Sequence, residues 1–153
     1  MEHTNAKFRL IEYRFPTFSF NAPKPYSEEE KEVSIQLKFT PQGLYIPASR
    51  LFKVIVDVQI SANGESQIQI RCEATFEFER KLNDLPDYFY ANSIAIVYPY
   101  IRAFCSLITT QSNNTGIILP VLNLIGLGEE LKQNTTVQEN DTNNQIIPGS
   151  SLC

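Results

Sequence analysis

The segment Leu51–Phe78, LFKVIVDVQISANGESQIQIRCEATFEF, decides the fold. Apolar residues take every second position on each side of its centre: Phe52, Val54, Val56, Val58 and Ile60 before it, and Ile68, Ile70, Cys72, Ala74, Phe76 and Phe78 after it. Because successive side chains of a strand point to opposite faces, the alternation predicts two strands that each bury one face. Asn63-Gly64 accepts the positive φ of a tight hairpin turn, so antiparallel pairing is expected.

Two further segments have strand character. Apolar residues alternate with polar ones from Val33 to Phe39, which predicts a third half-buried strand. The segment Lys7–Phe20 is rich in strand formers, but its apolar phase shifts around Pro16, from odd positions to even ones. Since proline cannot donate to a strand ladder, this shift predicts a bulge or a bent edge strand.

Prolines also mark the expected connections. Asn21–Tyr26 is predicted to be an extended crossover, and Thr40–Pro47 a loop that carries Tyr45. Ile117–Ile125 is an apolar stretch that periodicity alone does not place. Such an apolar stretch is expected either to be covered by other residues or to pack over an apolar surface itself.

The period changes after Pro86. Six residues fall along one side of a helix that is predicted to end near Thr110: Ile94, Val97, Ile101, Phe104, Cys105 and Ile108. Pro99 is expected to kink this helix. Residues 1–131 are therefore expected to form one domain, and the polar stretch 132–153, which has few core formers, a mobile tail.

Composition restricts the class of protein. The 153 residues are 42% hydrophobic and 20% charged, as in a soluble globular domain, and we expect neither a secretory leader nor a membrane span. The three cysteines are scattered, which favours buried thiols in the cytoplasm over a disulfide framework. The net charge of -4 with no basic block argues against nucleic-acid binding.

The sequence offers little for catalysis. The single histidine, His3, lies in a segment with nothing to hold it, and no cysteine pair has metal-ligand spacing. Gly126-Leu127-Gly128 lacks the third glycine and the preceding strand of a dinucleotide site. Glu73 lies on the polar face of a strand, where carboxylates keep the outer face of a sheet solvated. We therefore expect a protein that is not an enzyme and has no cofactor or metal.

Three stretches, in order, resemble the SecB family of protein-export chaperones. They are Phe18-Ser19-Phe20-Asn21-Ala22-Pro23, the strand pair Phe52–Ile60 and Gln67–Phe78, and a helix motif, Ile96-Val97-Tyr98-Pro99-Tyr100-Ile101-Arg102, followed by Leu119-Pro120-Val121-Leu122-Asn123-Leu124. The resemblance covers about residues 6 to 127. It implies an α+β fold with a four-stranded antiparallel sheet and one long C-terminal helix packed on one face. It also implies a homotetramer, built as a dimer of dimers through strands and helices.

The same resemblance implies an ATP-independent holdase that binds unfolded polypeptides in apolar grooves, for protein export or translocation. Ten residues become candidates for the client-binding groove: Phe15, Phe18, Phe20, Tyr26, Tyr45, Tyr98, Phe104, Ile118, Leu119 and Leu122. Apolar residues in both phases of the first strand, and the apolar stretches near Tyr45 and Ile118, agree with this, since they exceed what a monomer comfortably exposes.

The resemblance places contacts with the SecA motor at Thr17, Asn21 and Glu73, but the acidic residues typical of the first two positions are absent. This departure keeps open a SecB-like chaperone dedicated to a toxin-antitoxin pair. A carrier of a small apolar ligand is a second hypothesis that competes with export. An isomerase-like enzyme with Glu73 or Asp57 as its base is the third and weakest.

Overall fold

The computed structural model of the chain describes residues 7–22, 35–62, 65–112 and 117–139. Its elements in chain order are β1 (Phe8–Phe20), β2 (Ile35–Ile46), β3 (Leu51–Ala62), β4 (Glu65–Phe78), α1 (Asp87–Gln111), α2 (Leu124–Gln133) and β5 (Thr135–Val137). His3, Tyr26, the predicted turn at Asn63-Gly64, and residues 140–153 lie outside the described part.

The strands form one five-stranded sheet in the order β1-β4-β3-β2-β5. The first four pair antiparallel, with Val56 opposite Cys72 in the β3–β4 pair, and β5 adds parallel to β2. The α+β class, the antiparallel meander and the long helix are therefore confirmed. The fifth strand and the second helix are additions that the sequence pattern does not predict.

Two bulges in β1 explain its changing apolar phase. One extra residue of β1 lies between the pairs formed by Leu10 and Glu12 with β4, and another between those formed by Arg14 and Thr17. Each extra residue reverses which side chains face the helix, because the side-chain period of a strand is two. The bulge predicted near Pro16 is confirmed, and β1 is an edge strand as expected.

The prediction of a loop at Thr40–Pro47 is wrong. The segment forms the second half of β2, paired with β3 up to Ile46, and the chain turns only at Pro47–Ser49. Pro41 is tolerated because β2 lies at the edge of the antiparallel part, so the missing N–H removes no bond to β3. Arg50, with φ of 59°, completes the turn.

The core lies between the sheet and α1. Phe89 near the start of the helix has its ring centroid 4.8 Å from those of Phe8, Phe52 and Phe78. Such aromatic pairs add about 0.5 to 1.5 kcal/mol each beyond area burial. Helix α1 runs through Pro99 without ending, so it does not begin there.

The expected tail from residue 132 begins inside an ordered element. Leu131 and Lys132 lie in α2, and β5 follows directly, so the 131/132 boundary needs correction. Leu131 is fully buried, and Gln138 N donates to Tyr45 O at 2.8 Å. Backbone pairing does not require apolar side chains, which is why a polar segment joins the sheet.

Two glycines of α2 give a matched test of the helix packing. A Cβ on Gly128 would lie 2.8 Å from Ala91 N, whereas one on Gly126 would meet only the Asn123 side chain, at 3.1 Å. We expect Gly128→Ala to lower the free energy of unfolding by about 1 to 3 kcal/mol, because α2 must move away from α1. Urea denaturation measures the change.

Gly126→Ala is the control. It should leave stability unchanged or raise it by up to about 1 kcal/mol, since alanine is the better helix former. Equal effects of both substitutions would contradict the close α1–α2 approach.

Candidate functional site

Apolar and aromatic side chains line both long sides of α1. We call the side next to the first strand the β1 flank, made of Tyr13, Phe15, Phe18, Tyr100 and Phe104. We call the opposite side the β2 flank, made of Leu37, Phe39, Tyr98 and the connecting segment 117–123. Because β4 and β3 separate β1 from β2, the two flanks are distinct surfaces.

Stacked rings close the β1 flank. Phe15 and Phe104 lie face to face with centroids 4.1 Å apart, and Tyr13 stacks on Tyr100 at the same distance. Phe18 meets Phe104 edge-on at 5.0 Å but remains 56% exposed. The half-buried rings of Phe15 and Phe104 thus belong to the fold. The more exposed rings of Tyr13, Phe18 and Tyr100 offer apolar area to another molecule.

Hydrogen bonds from α1 fix the connecting segment on the β2 flank. Ser106 Oγ donates to Ile117 O at 3.0 Å, and Ile117 N donates to Thr109 Oγ1 at 3.0 Å. Tyr98 Oη donates to Pro120 O, and its ring lies 6.2 Å from that of Phe39. The segment is therefore held in place although it is neither helix nor strand.

This segment presents apolar side chains outward. Leu119 is buried and anchors it, whereas Ile118 is 71% exposed and Val121 is 96% exposed. Leu122 is half-buried just before α2 begins. Aliphatic side chains that lie together in solvent on one surface are typical of an interaction site.

Two groove candidates belong to the core. Tyr45 is 2% exposed, and its Oη donates to Leu82 O at 2.7 Å and accepts from Leu82 N at 3.2 Å. Leu119 is 3% exposed. Neither can line an accessible groove, because strand β2 and the anchored segment turn these side chains inward.

Six of the eight remaining candidates divide between the flanks. Phe15, Phe18 and Phe104 meet on the β1 flank, and Tyr98, Ile118 and Leu122 lie on the β2 flank. Phe20 is half-buried against the core. Tyr26 lies outside the described residues.

The positions linked to motor binding lie on the outer face of the sheet or at its margin. Glu73, the one acidic match, pairs with Arg14 at 2.9 Å. Thr17 lies opposite Arg71, and Asn21 N donates to Gln67 O at 2.8 Å. Glu73 is thus charge-paired, and the two other positions carry no acidic group.

The outer face is polar and charge-balanced. Arg71 forms two parallel hydrogen bonds with Asp57, at 2.8 and 2.9 Å, and this contact raises the pKa of Arg71. A depression of about 630 Å³ lies around this pair, and Lys38, Gln59 and Gln69 are among its lining residues. Such a lining does not suit an apolar ligand.

The two cysteines within the described residues are inert. Cys72 and Cys105 are free and buried, and burial raises the pKa of each thiol to about 12. The thiolate is the reactive and metal-binding form, so neither is poised for chemistry. No cluster of metal-ligating side chains occurs in the described segments.

Sequence reasoning missed the exposed apolar stripe of α1. Ile96, Tyr100 and Leu107 are between 38% and 54% exposed, although they share the helix with the core stripe. Their spacing of four and seven residues was the available signal. By length and composition α1 could also span a membrane, but it packs on the sheet, and core helices of soluble proteins meet the same criterion.

No family model matches the chain. The uncharacterized protein MJ0357 of Methanocaldococcus jannaschii is 37% identical over 67 residues, which are 41% of this chain and 43% of that protein. The match therefore spans less than half the length of this curated relative.

Among solved structures, the Mycobacterium tuberculosis Rv1957 SecB-like chaperone, in complex with a ChAD peptide from the Rv1956 HigA1 antitoxin, matches with a TM-score of 0.61 and 16% identity. The match covers 76% of this chain and 90% of that one. A protein of unknown function from Streptococcus agalactiae matches with a TM-score of 0.46 and 13% identity, over 76% of this chain and 98% of that one. The first of these shows that the chain has a SecB-like fold.

Proposed function

We propose that the protein is a chaperone subunit that holds unfolded polypeptides on the β2 flank without ATP. The observation that carries this proposal is the fixed connecting segment, which keeps Ile118 and Val121 in solvent beside Tyr98 and Phe39. A monomer gains no stability from exposing these side chains, whereas a client with exposed apolar residues gains from covering them. The proposal assigns no catalytic step.

Binding of this kind is weak and general at one site. Burying one large apolar side chain contributes roughly 1.5 to 3 kcal/mol before ordering costs. Tight holding then requires several subunits that engage one client, because the second contact forms at high effective concentration. The proposed function therefore needs an oligomer.

We assign the β1 flank to contact between subunits. Strand β1 has 13 residues and lies at the sheet edge. Tyr13 and Phe18 on this strand and Tyr100 on α1 beside it are between 39% and 56% exposed. A long apolar edge of this kind invites pairing with another chain. Four copies arranged as a dimer of dimers would cover it. Phe18 then serves assembly and the stacked Phe15 and Phe104 serve the fold, rather than client binding.

The partner of the chaperone has two candidates. The SecB-like fold suits export, with handover to SecA, but the pairing of Glu73 with Arg14 weakens that version. The neighbour Rv1957 binds a peptide from an antitoxin, which supports a chaperone dedicated to a toxin-antitoxin pair. In both cases the client is an extended polypeptide, and we place the protein in the cytoplasm.

A ligand carrier and an isomerase have less support than a chaperone. The charged side chains of Lys38, Asp57 and Arg71 in the outer depression argue against a carrier of apolar ligands at that place. Asp57 and Glu73 each lie in an ion pair with an arginine on the exposed face, which is a poor setting for an isomerase base.

Suppression of aggregation tests the proposed function. The purified protein should prevent aggregation of a refolding client without ATP. Ile118→Ser with Val121→Ser should raise the concentration needed by about tenfold, because less apolar area is covered by the client. Light scattering measures the effect.

Val137→Ser is the matched control, since Val137 is 60% exposed but lies on β5. It should leave the activity unchanged. A wild-type protein that fails to protect any client at several-fold molar excess would exclude the holdase function.

Native mass spectrometry tests the assembly. The wild-type protein should be a tetramer, and Phe18→Glu with Tyr100→Glu should give smaller particles, because charges replace the apolar contact area. Ile125→Glu, at a 74% exposed position of α2, should keep the tetramer. A wild-type monomer would refute this part of the proposal.

A further inference from the structure

Strand β2 is covered along only part of its outer edge. It pairs with β3 over its whole length, from Ile35 to Ile46, but β5 pairs only with Gly43–Tyr45. Within the described residues, nothing else pairs with the first half of this edge. An edge strand presents free backbone donors and acceptors that can accept another strand.

The bonds to the β5 region show which groups of β2 face this edge. Gly43 N donates to Asn134 O at 3.2 Å, Tyr45 O accepts from Gln138 N at 2.8 Å, and Pro41 O accepts from Asn134 Nδ2 at 3.2 Å. All three lie at odd positions of β2. The N–H and C=O groups of successive residues point to opposite edges of a strand. Those of Leu37 and Phe39, also at odd positions, therefore point to the same open edge.

The side chains of these residues face the apolar side. Phe39 contacts Tyr98, Leu37 packs against the core, and Ile35 is 62% exposed. The open backbone groups and the apolar row therefore belong to the same residues. An added strand would find hydrogen bonds at Leu37 and Phe39 and apolar surface for every second side chain.

We propose that a client segment binds as an additional strand along Ile35–Phe39, in line with β5. This inference rests on the proposed chaperone function and states how the client is held. Asn134 and Pro41 mark one end of the available edge, since the Pro41 carbonyl is already engaged and its nitrogen carries no hydrogen. The protein's own chain already uses the neighbouring edge through β5.

This geometry selects a pattern rather than a sequence. Main-chain bonds form with any sequence, whereas the apolar face rewards apolar residues at alternate positions. Clients with segments of about five residues in this alternating pattern are therefore preferred over clients with the same apolar residues in a block.

Amide hydrogen exchange by NMR tests the proposal on the assembled wild-type protein. The probe is a capped nonapeptide with leucines alternating with serines and a lysine at each end. Bound peptide should slow exchange at the Leu37 and Phe39 amides by about tenfold or more. Lys38 and Thr40, whose amides face β3, should change little.

Two N-methylated peptides make the test sharper. Methylation of a central leucine amide or of the next serine amide removes one donor in each case, but only one of the two faces β2. One peptide should bind about threefold to tenfold more weakly than the other. The leucine amide faces β2 in an antiparallel strand and the serine amide in a parallel one.

The outcomes separate the two proposals. Strand addition is supported if exchange slows at the Leu37 and Phe39 amides and the two methylated peptides bind with unequal affinity. Binding that leaves the Leu37 and Phe39 amides unchanged, or that is equally weakened by both methylations, overturns strand addition and leaves the holdase function standing. Absence of binding by the parent peptide and by any unfolded client overturns both.

Discussion

The packing of α1 across the sheet is the constraint on which the rest of the structure depends. The ring of Phe89 packs the first turns of the helix against the sheet, where it contacts aromatic rings from three strands. Further along, the core stripe continues through Ile94, Val97 and Ile101, which are fully or almost fully buried. One helix covers the middle of the sheet, so its two long sides remain as separate apolar surfaces.

These two surfaces differ in a way that suits two uses. On the β1 flank, rings from strand and helix already stack on each other, and the edge beside them is long. On the β2 flank, β5 covers part of the outer edge of β2. The connecting segment 117–123 is hydrogen-bonded to α1 on the same flank. The long edge suits the proposed contact between identical chains, and the short one the proposed contact with a client.

Much of this can be predicted from the sequence where one physical rule dominates, and tertiary context decides the rest. Alternation across Leu51–Phe78 and the phase change at Pro16 predict two strands and a bulge correctly, because the side-chain period of a strand is fixed. Proline wrongly predicts a loop at Thr40–Pro47, because an edge position removes the cost of the missing N–H. That error also makes Tyr45 a groove candidate, although it lies in the core. Polar composition wrongly predicts a tail from residue 132, because Thr135–Val137 joins the sheet through its main chain.

The central claim is that apolar side chains on the β2 flank stay within reach of a foreign polypeptide in the assembled protein. Methyl NMR of the full-length protein with an unfolded client tests this directly. The account predicts large shifts for the Ile118 and Leu122 methyl groups and none for Ile55, which lies on the outer face of β3. Unchanged Ile118 and Leu122 signals with a client firmly bound would contradict it.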